Sequence, residues 1–575
     1  MTYANLAWLA PFIAPGGAAG LSGPGLLPGA WAVQLVMKKR IARPVFFASR
    51  WHRNYLAWLL LGTLAACTAP ERPPASPPAP HTAQAAVRPW PVAFGYGCNL
   101  GYYGPAWPDE QLAQAVHAAG GNTLRVSLPE QFLAQWGWEA RRAAFRYYAD
   151  SLHLRDLVCF VGDPSPAHRD PVTYPGCHEP SKLFANLYEP IWQADSTVNP
   201  HNYYAQYIYQ LTQRYGQNIR VWEVVNEPDF INSTVNKDWL ARAPAPAELP
   251  NVLAPIERYI RTLRITWEVV KKYQPAAYVA PGGLGYPEYL DALLRYTDNP
   301  RGGAPSAEYP ATGGAYFDVL AYHVYPSYDL RHRNWWRAGR FAYTRTSDFA
   351  ARQVLAHQAA MEAVLLRYGY GTTYPRKHLL VSETNIGRRP SEWRAGTDEL
   401  QRNFGLKALV LAQQAGIRQL HFYRVGEGAD APPPGTQVSG DTELALMGLY
   451  ENLSRDQPGA QKLTELGRAL RTCGLLLAGR PYNAAGTAAL RLPPGVAGAA
   501  FGQGRRAVLV LWAITTTDQS EAASATYSLL AAWRLPTLTR YAWNYTPGTP
   551  GQPCPEASLA LTGTPAFFVP APLGR

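Results

Sequence analysis

Charge is scarce in this chain. Charged residues make up 16% of its 575 positions against 47% hydrophobic, and it holds 4 methionines and 6 cysteines. That balance excludes an intrinsically disordered chain, and the length suffices for one large domain with a smaller one beside it. Chemical signatures are missing too. No His-Glu-x-x-His, Cys-x-x-Cys or Gly-x-Ser-x-Gly occurs and the histidines are scattered, which argues against zinc and serine-nucleophile chemistry. Gly95-Tyr-Gly-Cys-Asn-Leu-Gly101 lacks the glycine spacing of a phosphate-cradling loop, so a doubly wound nucleotide-binding sheet is disfavoured. We expect no cofactor and no metal.

What the chain has in excess is positive charge, +12, unevenly spread. Lys38, Lys39, Arg40, Arg43, Arg50 and Arg53 fall within residues 1–66, which contain no acidic residue. The remainder shows no dense basic run and no nucleic-acid module, so nucleic acid is not an expected partner. Lys38-Lys-Arg40 followed by the apolar Tyr55–Ala66 reads as an export leader, too short to span a bilayer comfortably. It ends in Leu64-Ala-Ala-Cys67, which resembles the bacterial lipobox, where the leader is cut before a cysteine that carries diacylglycerol. Cys67 is the lipidation site this implies, and the expected location is the cell envelope, lipid-anchored to a bacterial membrane, or secretion. Residues 67–91 are proline-rich and read as a tether. Met37 directly precedes the basic run, and we expect it to be the initiator with 1–36 lying upstream. Cys98, Cys159, Cys177, Cys473 and Cys554 remain, an odd set, so at least one thiol is free or paired elsewhere.

From about residue 92, apolar strand-like runs alternate with amphipathic helices. The strands read as 92–100, 122–128, 156–162, 219–226, 277–283, 317–324, 378–383 and 417–423, with helices such as Asp109–Ala119, Glu139–Leu152, Ile256–Tyr273 and Asp398–Ala415 between them. Eight such units predict an α/β fold, a (β/α)8 TIM barrel over 92–477, whose active face lies at the strands' C-terminal ends. After Ala478 the texture changes. Ala488–Leu492, Gly498–Phe501, Ala507–Ala513, Thr526–Leu530, Leu538–Asn544 and Ala566–Val569 read as short strands of a small C-terminal β-sandwich over 478–575, its first strand pairing back against the barrel.

Two of the barrel strands end in glutamate. Val221-Trp-Glu-Val-Val-Asn-Glu-Pro-Asp229 delivers Glu227, and Leu379-Leu-Val-Ser-Glu-Thr-Asn385 delivers Glu383. A pair of carboxylates at strand ends of one scaffold is what glycosidic cleavage needs: one gives a proton, the other attacks carbon. Trp222–Pro228 resembles the acid/base strand of the clan A retaining glycoside hydrolases, and Ser382–Asn385 is similar to their nucleophile strand. Tyr322-His-Val-Tyr-Pro326 resembles the strand-six His-x-Tyr of family 5, and Asn122-Thr-Leu-Arg125 its Asn-x-x-Arg. A sandwich after the barrel is similar to families 39, 30 and 51.

The resemblance implies a glycoside hydrolase acting on O-glycosidic bonds of a poly- or oligosaccharide by a retaining double displacement. Glu227 would be acid/base and Glu383 nucleophile, with Arg125 keeping Glu383 ionised and Tyr325 hydrogen-bonded to it. Asn226 would grip the sugar 2-hydroxyl, and His323 would position substrate or its neighbours. A non-catalytic glycan-binding surface lipoprotein on the same scaffold is the alternative. Glu223 shares the strand face of Glu227 but lies roughly 13 Å deeper, and reads as structural. Where family 5 ends strand eight with a stacking tryptophan, this chain offers Phe422 or Tyr423, and strand three ends in Gly162-Asp163 without a histidine. Of the tryptophans assigned to loops (Trp107, Trp136, Trp138, Trp335, Trp336 and Trp393), Trp335 and Trp336 are the expected sugar platforms. The neighbouring Arg331, Arg333 and Arg337 hint at an acidic glycan. Mass spectrometry of the expressed product checks the start site: all peptides should begin at or after Met37, and any peptide from 1–36 refutes that reading.

Overall fold

Eight short strands build the barrel: β1 (Gly95–Asn99), β2 (Thr123–Ser127), β3 (Leu157–Val161), β4 (Ile219–Val224), β5 (Tyr278–Pro281), β6 (Val319–Val324), β7 (His378–Thr384) and β8 (Gln419–Phe422). The structure is a computed structural model and describes residues 86–91, 93–231, 238–331, 343–391, 394–529, 538–554 and 558–570. Leader, lipobox cysteine Cys67, Trp335, Trp336, Trp393, Arg333 and Arg337 therefore lie outside the described residues, as does the side chain of Arg331. The strands are parallel in the order β5-β4-β3-β2-β1-β8-β7-β6. The two ends meet: Asp318 N–H donates to Val279 O at 2.8 Å and Leu284 N–H to Ala321 O at 3.0 Å. The ring is a parallel eight-stranded barrel of the (β/α)8 kind. Strands so placed face a filled interior on one side and helices on the other, which is why all six residues of β6, Val-Leu-Ala-Tyr-His-Val, are buried.

Helices follow the strands, and their starts are set by side chains. Asn202, Thr346, Thr397 and Thr464 each accept a hydrogen bond from the main chain three residues on, opening Tyr203–Tyr215, Ser347–Arg367, Asp398–Gln414 and Glu465–Leu477. Helix Ile256–Tyr273 buries Ile256, Tyr259, Ile260, Leu263 and Val270, the recurrence that turns one helical stripe towards the core. Predicted helix Glu139–Leu152 is shorter than expected, with Arg142–Arg146 followed by a π-turn at Tyr147–Ser151. No helix among the described residues is long and apolar enough to cross a membrane.

Beyond the barrel, β9 (Val496–Phe501), β10 (Val508–Ala513), β12 (Leu538–Tyr541), β13 (Gln552–Cys554) and β15 (Ala566–Val569) form an antiparallel sheet, and β11 (Ser524–Ser528) pairs with β14 (Ser558–Thr562). Leu509, Leu511 and Phe568 share a core with Tyr527, Leu559 and Leu561, an arrangement that fits a β-sandwich. The predicted first strand is wrong. Ala484–Leu490 is a helix, capped by the Asn483 side chain accepting from Gly486 N–H, because an alanine-rich run favours helix once its first amides are satisfied. β13 and β14 escaped the sequence reading. Both are short with largely exposed faces, so neither carries a continuous apolar run.

A buried polar knot joins the C-terminal sheet to the barrel helices. Asp348 Oδ2 accepts from Lys407 Nζ at 2.7 Å and from the Thr515 N–H and hydroxyl at 2.8 Å, while Oδ1 accepts from Trp512 Nε1 at 2.9 Å. Lys407 is wholly buried. Removing one partner of a buried pair leaves an uncompensated charge, at a cost of about 3–5 kcal/mol. Asp348→Ala should therefore lower the unfolding free energy by about that much, read as a shifted urea midpoint at constant m-value.

Candidate active site

The carboxylates are brought together by a turn that the backbone would otherwise avoid. After β4, Val225 (φ 60°) and Glu227 (φ 45°) are left-handed, a conformation costing a β-branched residue on the order of 1–3 kcal/mol. Hydrogen bonds offset it: Val225 N–H donates to Val161 O at 2.9 Å, Glu227 N–H to Gly282 O at 2.6 Å, and Asn251 Nδ2 to Glu227 O at 3.1 Å. A Cβ on Gly282 would lie 1.2 Å from Val225 O, and one on Gly283 would lie 2.1 Å from His323 Nε2. These two glycines are therefore part of the site.

Around that turn the predicted residues converge. Arg125, buried in the middle of β2, donates from Nη1 to Glu383 Oε1 (2.6 Å) and Asn99 Oδ1 (2.9 Å), from Nη2 to Asn226 Oδ1 (2.7 Å), and from Nε to Glu223 Oε2 (2.6 Å). Tyr325 Oη donates to Glu383 Oε2 at 2.5 Å. His323 Nδ1 lies 2.8 Å from Glu227 Oε1 and 3.8 Å from Glu383 Oε2. One oxygen each of Glu227 and Glu383 and a ring nitrogen of His323 all lie within 4.8 Å of one another. Since the guanidinium binds Asn226 through Oδ1, the amide's NH2 end is directed elsewhere.

Environment then divides the labour. Burial raises the Glu227 carboxyl to about 7 against the pull of the Arg125 charge, while 26% of the side chain stays exposed and reachable. Burial lowers His323 to about 4, against the nearby Glu383 charge, so its ring is neutral and its Nδ1 can donate to an ionised Glu227 or accept from a protonated one. Burial and the Glu383 charge push the Tyr325 phenol well above its ordinary value, keeping it a donor. Among the described residues Glu227, His323 and Glu383 could offer three ligand atoms to an ion. Arg125 already supplies the counter-charge at 2.6 Å from Glu383.

The aromatic residues divide differently from expectation. Phe422 is fully buried in the core, whereas Tyr423 is half-buried with its ring 6.0 Å from Tyr325, so Tyr423 is the strand-eight aromatic at the site. Trp107 is a core residue, donating to Asp456 O, because its strand-to-helix loop folds beneath 450–456. Trp136 is exposed at the end of a helix and Trp138 packs under Arg214. Glu223, read as structural, is buried and braces Arg125. The sequence reading missed Asn99, Asn251 and the Gly282-Gly283 pair. A polar residue closing β1 and a double glycine directly after β5 were the available signals.

The five cysteines among the described residues are all free, with Cys98, Cys159 and Cys473 buried. No family model and no curated protein matches the chain. Among solved structures, a family 39 glycoside hydrolase from the gut symbiont Bacteroides cellulosilyticus WH2 aligns at 13% identity over 83% of this chain and 80% of that one, TM-score 0.49. A glucosidase from Croceicoccus marinus aligns at 12% over 83% and 96%, TM-score 0.45. An α-L-arabinofuranosidase from Thermotoga maritima aligns at 11% over 84% and 97%, TM-score 0.46.

The raised Glu227 carboxyl predicts a pH effect on stability. Its proton is held more tightly in the native state than in the unfolded chain, so its contribution is fully present below about pH 4.5 and is lost as pH rises through about 7. Glu227→Gln cannot ionise and should abolish that loss. Denaturant titrations of both proteins at pH 5 and pH 8 check it: the variant's midpoint should fall less between the two.

Proposed function

We propose that this chain is a retaining glycoside hydrolase, with Glu227 as acid/base and Glu383 as nucleophile. The observation that carries the reading is the close pair of carboxylates, Glu227 raised by burial to about 7 and Glu383 bound by Arg125 and Tyr325. Their nearest ligand oxygens lie within 4.8 Å, close to the roughly 5–5.5 Å spacing of retaining sites and short of the roughly 6.5–9.5 Å that an inverting enzyme needs to seat water. In the first step Glu383 Oε attacks the anomeric carbon while Glu227 passes its proton to the departing glycosidic oxygen, leaving a glycosyl ester. Esterification removes the Glu383 charge, and Glu227, having given up its proton, can deprotonate the incoming water. Water attacks the same carbon, the ester C–O bond breaks, and both carboxyls return to their starting forms.

The surroundings support those roles. Arg125 and Tyr325 together give the Glu383 carboxylate a cation and a phenol donor, and His323 follows Glu227 through both protonation states. Asn226, oriented by Arg125, can address the sugar hydroxyl next to the reacting carbon. Residues 92–477 would be the catalytic barrel and 478–575 an accessory sandwich. In the same proposal the leader and Leu64-Ala-Ala-Cys67 support export and lipid anchoring at the bacterial envelope.

Two measurements test the reading. A panel of 2-fluoro glycosides of different configurations should inactivate the protein, and peptide mapping should find the label on Glu383. Glu227→Ala should lower kcat by about 10²–10⁴ on poor leaving groups and much less on activated aryl glycosides. Absence of turnover across a broad glycoside panel, with sugar binding retained, would leave the non-catalytic glycan-binding reading in its place.

A further inference from the structure

The positive charge of this chain has an address. Residues 67–575 carry a net charge of +6, and the stretch 466–517 alone holds six arginines (Arg468, Arg471, Arg480, Arg491, Arg505 and Arg506) with no aspartate or glutamate. The rest of that span is charge-balanced. A local excess of this kind in an otherwise neutral protein creates a steering potential for anions.

Part of the excess converges on one cavity. Gly479, Arg480, Tyr482, Asn483, Gln503 and Arg506 line a space of about 380 Å³ between the last barrel helix and β9–β10, and none of them belongs to the carboxylate site. Arg480 is pinned: Nε donates to Arg506 O at 3.0 Å and Nη1 to Leu476 O at 2.9 Å. Arg506, exposed, lines the same space, and burial together with its charge holds Arg480 below its ordinary value. Among the described residues neither has an acidic partner. Asn483 spends its amide on the main chain at Gly486 and Gly502, whereas the Gln503 side chain is exposed and Tyr482 is half-buried.

We propose that this cavity is a binding site for an anionic sugar unit, one bearing a carboxylate or a sulfate. Two guanidiniums lining one cavity can meet a planar or tetrahedral oxyanion with charge-assisted hydrogen bonds. Tyr482 offers a flat face to a sugar ring and Gln503 a donor and acceptor for its hydroxyls. The site lies on the C-terminal sheets, so it would hold a charged chain beside the barrel rather than act on it. The choice of saccharide rests on the glycosidase reading; the anion site does not.

Calorimetry on the full chain carrying Glu383→Gln tests this, with oligogalacturonate and dextran sulfate as probes against unsubstituted dextran, inorganic phosphate and phosphatidylglycerol vesicles. The expected result is binding of the two acidic saccharides and not of dextran, weakened at least tenfold by Arg506→Glu and retained in large part by Arg506→Lys. Because Arg480 also braces the main chain, Arg506 carries the test, with Tyr482→Ala as a second variant expected to weaken the saccharides more than phosphate. Equal affinity in Arg506→Glu, equal binding of dextran, or vesicle binding that the acidic saccharides do not displace would overturn the proposal. Aryl-glycoside hydrolysis by the chain with Glu383 intact is read separately and should be unchanged by Arg506→Glu. Its absence would sink the glycosidase reading while leaving anion binding as measured.

Discussion

A buried arginine holds this structure's site together. Arg125 is almost wholly excluded from solvent, and its four hydrogen bonds end on Asn99, Glu223, Asn226 and Glu383. Those residues come from β1, β4, the turn after β4, and β7, so one guanidinium ties strands across the barrel. Desolvating a cation is tolerable only with partners in good geometry, and neither Glu223 nor Glu383 alone satisfies the five donors of the fork. The face of Phe160 under the guanidinium, 4.7 Å from its centroid, completes the cage.

From that arrangement the chemistry of the two glutamates diverges. Glu383 is held by the cation and by Tyr325, whereas Glu227 has a neutral imidazole as its close partner and sits where burial favours the proton. The left-handed turn at Val225 and Glu227 is the local conflict that makes this possible. The turn's own amides donate to the Val161 carbonyl of β3 and to the Gly282 carbonyl just after β5, and the Gly282-Gly283 pair leaves it room.

The periodic parts of the fold were legible. Strand runs at 219–226, 317–324 and 378–383 and the helix at Ile256–Tyr273 were visible because a parallel barrel buries both faces of each strand and one stripe of each helix. The C-terminal region was less so. Ala488–Leu492 passed for strand because the run is apolar, although its alanines lack β-branching and belong to the helix Ala484–Leu490, and β13 and β14 hid behind exposed faces. Among the predicted site residues, Glu227, Glu383, Arg125, Asn226, His323, Tyr325 and Tyr423 do gather, Trp335 and Trp336 lie outside the described residues, and Trp107, read as a loop residue, packs in the core. Asn99, Asn251 and the paired glycines were illegible because nothing local says which backbone approaches them.

By itself, the sequence determined the number of barrel strands, the strands that deliver the two glutamates, and the concentration of arginine in 466–517. Those are properties of spacing and composition, fixed by the period of each element and by counting. Only the tertiary structure decided how far apart Glu227 and Glu383 lie, that Glu223 and Glu383 share one guanidinium, and that Arg480 and Arg506 line one cavity. Such relations join residues remote along the chain, and their distances follow from barrel closure and desolvation rather than from any local preference.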